Sequence, residues 1–87
     1  IARKVELMGL TGMPSIPVDG KMRLFDLLSK ARIPIDANLF KSYVLRDGKM
    51  LPVDLRKLIK EGDMEQNIVM RGGDKVYIAE ASASTLM

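Results

Sequence analysis

The 87-residue sequence contains no cysteine and no histidine. Without cysteine the chain has no disulfide, no thiolate zinc site and no cysteine nucleophile. Without histidine, acid–base catalysis near neutral pH would need a carboxylate or a lysine with a shifted pKa. The absence of cysteine does not fix the compartment, because reduced cytosolic domains and oxidised periplasmic domains can both lack it.

Long apolar runs are also missing: none approaches the roughly 20 residues that a helix needs to span a bilayer. No basic segment followed by an apolar one marks a signal sequence. The sequence begins with Ile1 rather than Met and ends at Leu86-Met87 without a polar tail. We therefore expect a piece of a longer protein, and whether other parts carry a targeting signal stays open.

The charge is mildly positive, with 14 Lys and Arg against 11 Asp and Glu. A nucleic-acid-binding protein usually gathers its basic residues in one stripe. Here many basic residues alternate with acidic ones along the chain: Lys21, Arg23, Lys30, Arg32, Lys41, Arg56, Lys57 and Lys60. This pattern predicts a solvated surface and no nucleic-acid partner.

An apolar fraction of 47% with 29% charged residues is typical of a globular chain, and 87 residues suffice for one small domain. We expect that domain at residues 3–79. Residues 80–87, which begin EASAST, are small and polar and are expected to be a linker toward a following module.

Apolar periodicity predicts the secondary structure of the first half. Arg3–Leu10 is an expected strand, and the chain is expected to return through Ile16–Val18. Because Pro17 lacks an amide proton, that second strand should lie at an edge or run only briefly. Met22–Ala31 is the main packing helix, expected to face the sheet through Leu24, Phe25 and Leu28, with Leu27 beside them.

In the second half, Asp47-Gly48 predicts a two-residue hairpin loop between Tyr43–Arg46 and Lys49–Leu51. Asp54 is expected to cap a short helix at Leu55–Glu61, and Gly62 to end it in the left-handed conformation. Ile68–Met70 and Val76–Ala79 are expected strands. The resulting order of strands and helices predicts an α+β fold.

The second half also carries an ordered set of motifs, and these give the strongest indication of a family. They are Arg46-Asp47-Gly48, Val53-Asp54-Leu55, Gly62-Asp63, Asn67-Ile68 and Gly73-Asp74-Lys75-Val76. In order and spacing they resemble the SLBB (soluble-ligand-binding β-grasp) domain of bacterial polysaccharide biosynthesis and export proteins. The resemblance covers roughly Val5 to Ala79, and it implies a β-grasp-like mixed sheet with one main packing helix and a second short helix.

The resemblance further implies a non-enzymatic module in the periplasm, as part of an outer-membrane polysaccharide export protein. Its expected partners are other copies of the same protein in a ring, a weakly and transiently bound polysaccharide, and inner-membrane export machinery. Membrane contact is expected only through parts outside this sequence. Two other functions stay open: a soluble small-ligand-binding domain, and a pure protein-interaction domain of a secretion or competence system. Candidate glycan or subunit contacts are Arg46, Asp47 and Lys49 at the hairpin tip, with Tyr43 as a surface aromatic platform.

Other chemistry is weaker in this sequence. Asp47, Asp54, Asp63 and Asp74 each stand at a turn or helix start, where a carboxylate forms a turn or a cap, so we expect no enzyme. A cation site at Glu61, Asp63 and Glu65 lacks the spacing of a calcium loop, and no metal or cofactor is expected. Gly72-Gly73 leads into a strand rather than a helix or a free end, which favours a tight turn over a phosphate cradle or a carrier tail.

Overall fold

A five-stranded mixed sheet carries two short helices, and the computed structural model describes residues 3–34 and 36–80. The strands are β1 Lys4–Gly9, β2 Ser15–Pro17, β3 Asn38–Arg46, β4 Lys49–Met50 and β5 Lys75–Ala79. The helices are α1 Leu24–Lys30 and α2 Leu55–Glu61, followed by a 3₁₀ turn at Met64–Gln66. Of the predicted linker, residues 81–87 lie outside the described residues.

The strand order is β2-β1-β5-β3-β4. β1 and β5 pair in parallel, whereas the other neighbouring strands pair antiparallel. The first and last strands of the chain therefore lie next to each other inside the sheet, which gives the β-grasp-like mixed sheet that was predicted. The predicted strand containing Pro17 is β2, and it is both short, with three residues, and at the edge of the sheet.

The core lies between the sheet and the helices. α1 contributes Leu24, Leu27 and Leu28, which are at most 4% exposed. The prediction that Phe25 belongs to this face is wrong, because Phe25 is 41% exposed. Four neighbouring apolar residues left the buried stripe ambiguous, and the spacing of the three leucines, i, i+3 and i+4, selects the face that excludes Phe25.

α1 begins two residues later than predicted, and its start is held by a distant segment. The Leu24 amide donates to the Ile68 carbonyl at 2.8 Å, and the Phe25 amide donates to Asn67 Oδ1 at 2.8 Å. Just before it, the Lys21 amide donates to Asp19 Oδ1 at 2.8 Å, and this hydrogen bond lowers the pKa of Asp19. Asn67 thus supplies the cap that the Arg23 side chain does not.

α2 matches its predicted bounds. Asp54 accepts a hydrogen bond from the Lys57 amide at 3.0 Å, and Gly62 has the left-handed conformation that ends the helix, with φ of 69°. The Asp54 amide in turn donates to Gln66 Oε1 at 2.8 Å, which ties the start of α2 to the 3₁₀ turn.

Two strand predictions need correction. The predicted strand Ile68–Met70 is only an isolated antiparallel bridge between Val69 and Arg23, because this segment caps α1 instead of joining the sheet. β3 begins five residues earlier than predicted, at Asn38. The added residues were hidden from strand periodicity by an irregularity between Asn38 and Tyr43, where β3 has more residues than β5.

Candidate functional site

The tip of the β3–β4 hairpin is an exposed two-residue turn. Asp47 and Gly48 have φ of 55° and 77°, as the predicted loop requires, and both are exposed, as is Lys49. The expectation of an exposed, charged tip is therefore met at Asp47 and Lys49.

Arg46 stands at the same tip, but its guanidinium points into the fold. Its Nε and Nη2 donate to the two carboxylate oxygens of Asp74 at 2.9 and 2.8 Å, and Nη2 also donates to the Val69 carbonyl at 3.0 Å. The Arg46 side chain is 22% exposed and that of Asp74 only 2%. Arg46 therefore offers little surface to a partner, and its main contact is an internal bidentate ion pair.

Asp74 has further hydrogen bonds inside the domain. Its Oδ2 also accepts from the Arg71 amide at 2.8 Å, which fixes the turn before β5. Hydrogen bonds from Arg46 to this carboxylate raise the pKa of Arg46, and partial burial of the guanidinium opposes that shift. The pair joins the end of β3 to the start of β5.

Tyr43 lies next to Tyr77, an aromatic residue that is distant from it in the sequence. Tyr43 and Tyr77 face each other across β3 and β5, with ring centroids 5.2 Å apart and planes tilted by 31°. Their strand neighbours Val44, Val76 and Ile78 are buried. Because side chains alternate along a strand, the two tyrosines lie on the face of the sheet opposite the core.

Sequence reasoning missed Phe40, the most exposed large apolar side chain of the described residues at 76%. It lies in the irregular part of β3, where the Ser42 hydroxyl donates to the Asn38 carbonyl at 2.8 Å and accepts from the Ala79 amide at 2.9 Å. The Lys41 amide donates to Asn38 Oδ1 at 3.2 Å. These hydrogen bonds hold the bulge, and the bulge directs Phe40 into solvent; strand alternation alone carries no signal for such a bulge.

The structural roles predicted for the turn aspartates are confirmed for three of them by hydrogen bonds. Asp54 and Asp74 are described above, and Asp63 accepts from the Glu65 amide at 3.1 Å. In the part of the chain that the structure describes, no three acidic side chains gather into a set that could hold a metal ion.

A small apolar hollow lies beside the carboxyl end of α1. It has a volume of about 130 Å³ and is lined by Leu28, Ile33, Pro34, Leu39, Ile59 and Lys60. Pockets for drug-sized ligands are commonly about 300–1,000 Å³, so this hollow is too small to hold such a ligand. No helix within residues 3–34 and 36–80 is long and apolar enough to cross a membrane.

No family model matches this chain, and a search of the curated proteins found no match.

Proposed function

We propose that this chain is a non-enzymatic periplasmic module of an outer-membrane polysaccharide export protein, which packs against copies of itself in a ring and contacts the passing glycan weakly. The observation that carries the proposal is that residues of the motif segments behind the SLBB resemblance make hydrogen bonds that hold the fold together. Arg46 of the Arg-Asp-Gly segment pairs with Asp74 of the Gly-Asp segment, and Asn67 caps α1. The motif residues thus support the fold, as expected of a family signature without catalytic residues.

The surface left for partners lies at the hairpin tip and along β3. Lys49, Asp47 and Phe40 are exposed, and Tyr43 is partly exposed beside Tyr77. The hydrogen bonds of the bulge hold the backbone on either side of Phe40, so little backbone ordering is needed when its ring packs at a subunit interface or stacks on a sugar ring. A charged hairpin tip contributes mainly to orientation and specificity.

The test compares folding of the 87-residue chain with assembly and export by the gene product that carries it. Lys49→Glu and Phe40→Ala should leave thermal unfolding of the 87-residue chain nearly unchanged, because both side chains are exposed. In the whole protein they should reduce oligomer size or the amount of exported polysaccharide. Lys57→Glu, an equal charge reversal at an exposed position of α2, is the matched control and should change neither.

Alone, the 87-residue chain should be monomeric or weakly associated, because the other parts of a ring protein supply much of the interface and of the local concentration. Sedimentation measures this directly. Normal assembly and export in both Lys49→Glu and Phe40→Ala would remove this surface from the proposal. Arg46 is unsuited to the comparison, since its reversal would place a second carboxylate beside buried Asp74.

A further inference from the structure

A basic recess lies where β1 and β5 begin, beside the turn that contains Gly72 and Gly73. It has a volume of about 410 Å³, and it is lined by Arg3, Lys4, Glu6, Gly72, Gly73 and Lys75. Arg71 directly precedes the two glycines and is exposed. Parallel pairing of β1 with β5, with Glu6 opposite Lys75, brings together cations from the two ends of the sequence.

Glycine is required at positions 72 and 73 for different structural reasons. Gly73 has φ of 93°, a conformation that favours glycine, and its amide donates to the Lys4 carbonyl at 2.9 Å. Gly72 is needed for space, because a Cβ there would lie 2.5 Å from Arg3 Cβ and 3.0 Å from Arg3 Cδ. The aliphatic stem of Arg3 therefore lies along the Gly72 backbone, which restricts where its guanidinium can reach.

Acidic groups do not neutralise this recess. Among the described residues that line it, Glu6 is the one that carries a carboxylate, which lies 3.7 Å from Lys75 Nζ, with both side chains about half exposed. Such an exposed pair is weak and can exchange partners. The nearby Asp74 carboxylate is buried and occupied by Arg46. Arg3, Lys4 and Lys75 therefore leave the recess with a net positive charge.

We propose that this recess binds an oxyanion, a carboxylate or a phosphate, carried by an acidic polysaccharide. This proposal rests on the function proposed above for the identity of the polymer, a polysaccharide. The negative charge of the ligand is inferred from the basic residues of the recess. Arg3 matches an oxyanion through paired hydrogen bonds, and the lysines add point charges. Nucleic acid fits less well, because the basic residues elsewhere alternate with acidic ones instead of extending this site into a stripe.

The test titrates the ¹⁵N-labelled 87-residue chain with polygalacturonate, with the same polymer fully methyl-esterified, and with polyphosphate. Polygalacturonate should shift the amide signals of Gly72 and Gly73 and bind more weakly as salt is raised. The esterified polymer, which lacks the charge, should not bind. Polyphosphate distinguishes a phosphate ligand from a carboxylate ligand. If polyphosphate also binds, the recess accepts phosphate; if it does not, the recess is specific for carboxylate.

Arg3→Gln should weaken polygalacturonate binding on the order of tenfold, the effect of one lost charge-assisted hydrogen bond. Lys75→Gln should weaken it by a smaller factor, and Lys49→Gln, the same change at the distant hairpin tip, by less than about twofold. Gly72→Ala should weaken binding without touching a charge, because it displaces the Arg3 stem. Circular dichroism of all four variants checks that they fold. If Arg3→Gln does not fold, Lys75→Gln tests the site in its place.

Equal binding by Arg3→Gln, Lys75→Gln and the unmodified chain would overturn the site. Tighter binding of a single-stranded oligonucleotide or of anionic vesicles, with the same dependence on Arg3, would overturn its assignment to a glycan. Either result leaves the ring-assembly test above unaffected. Conversely, the chain could bind polygalacturonate while the Lys49→Glu and Phe40→Ala proteins assemble normally. That result would support the oxyanion site and contradict only the proposed subunit interface.

Discussion

Replacing Arg46 with Met should destabilise the domain by about 3–5 kcal/mol, because it leaves a buried carboxylate without its countercharge. Asp74 is 1% exposed, and Arg46 donates to both of its oxygens. A domain of this length has a total unfolding free energy of about 4–13 kcal/mol at the usual value per residue. The single substitution should therefore remove a large part of the stability.

Removing both charges should cost less than removing one. In the Arg46→Met, Asp74→Asn double variant no buried charge remains, and an asparagine oxygen can still accept the hydrogen bond from the Arg71 amide. We expect the two positions to couple by at least about 1 kcal/mol in a double-mutant cycle. Lys49→Met, at the exposed tip of the same hairpin, should stay within about 0.5 kcal/mol of the unmodified chain.

Urea unfolding followed by far-UV circular dichroism at pH 7 measures these values, provided that the denaturant slope stays constant. The pKa of Arg46 is raised in the folded state, so the contribution of its charge is present below the ordinary arginine pKa and is lost only as the pH rises through the folded value. Neutral pH therefore captures all of that contribution. A cost below about 1 kcal/mol for Arg46→Met, or additive effects in the cycle, would refute the assignment of the pair as a buried structural element.

Three further predictions follow from the core, the turns and the acid side of the stability curve. Leu28→Ala should cost about 2–5 kcal/mol and Phe25→Ala about 1 kcal/mol or less in the same urea assay; equal costs would contradict the assigned face of α1. Gly9→Ala should destabilise the domain more than Gly48→Ala. Both glycines have positive φ, but only at Gly9 would a Cβ collide with a strand carbonyl. Equal unfolding midpoints would show that backbone strain alone sets the cost of both substitutions. The Lys21 amide hydrogen bond lowers the pKa of Asp19, so it adds stability above the ordinary carboxyl pKa, and that stability is lost as the pH falls below about 4. Asp19→Asn should therefore make the unfolding free energy less dependent on pH in the acid range; an unchanged pH profile would contradict this.

Local signals predicted the local structure well. Asp54 and Gly62 marked the two ends of α2, and Asp47-Gly48 marked the hairpin, because caps and tight turns depend on residues within one turn of each other. The α+β class also followed from the order of the periodic segments. The β-grasp-like strand order came from the family resemblance, since periodicity does not say which strands become neighbours.

What the sequence did not reveal depends on contacts between distant segments. Asn67 caps a helix 42 residues earlier in the chain, and the partner of Arg46 lies 28 residues away. Arg46 was therefore expected to be free at a loop tip, although its side chain is held inside. The basic recess has the same cause, because only the β1–β5 pairing brings Arg3 beside Gly72.

The central β1–β5 pairing also constrains how this domain folds during synthesis. Glu6 and Lys75 are directly opposite each other but roughly 70 residues apart in sequence. At about 5–20 residues per second, the ribosome needs on the order of 4–14 s to make the intervening chain. Until β5 emerges, both β1 and β3 have an open strand edge, and contacts of such long range form slowly. The nascent chain is therefore most exposed to aggregation just before its final strand is released, and premature termination before residue 75 would leave a sheet that lacks its middle strand.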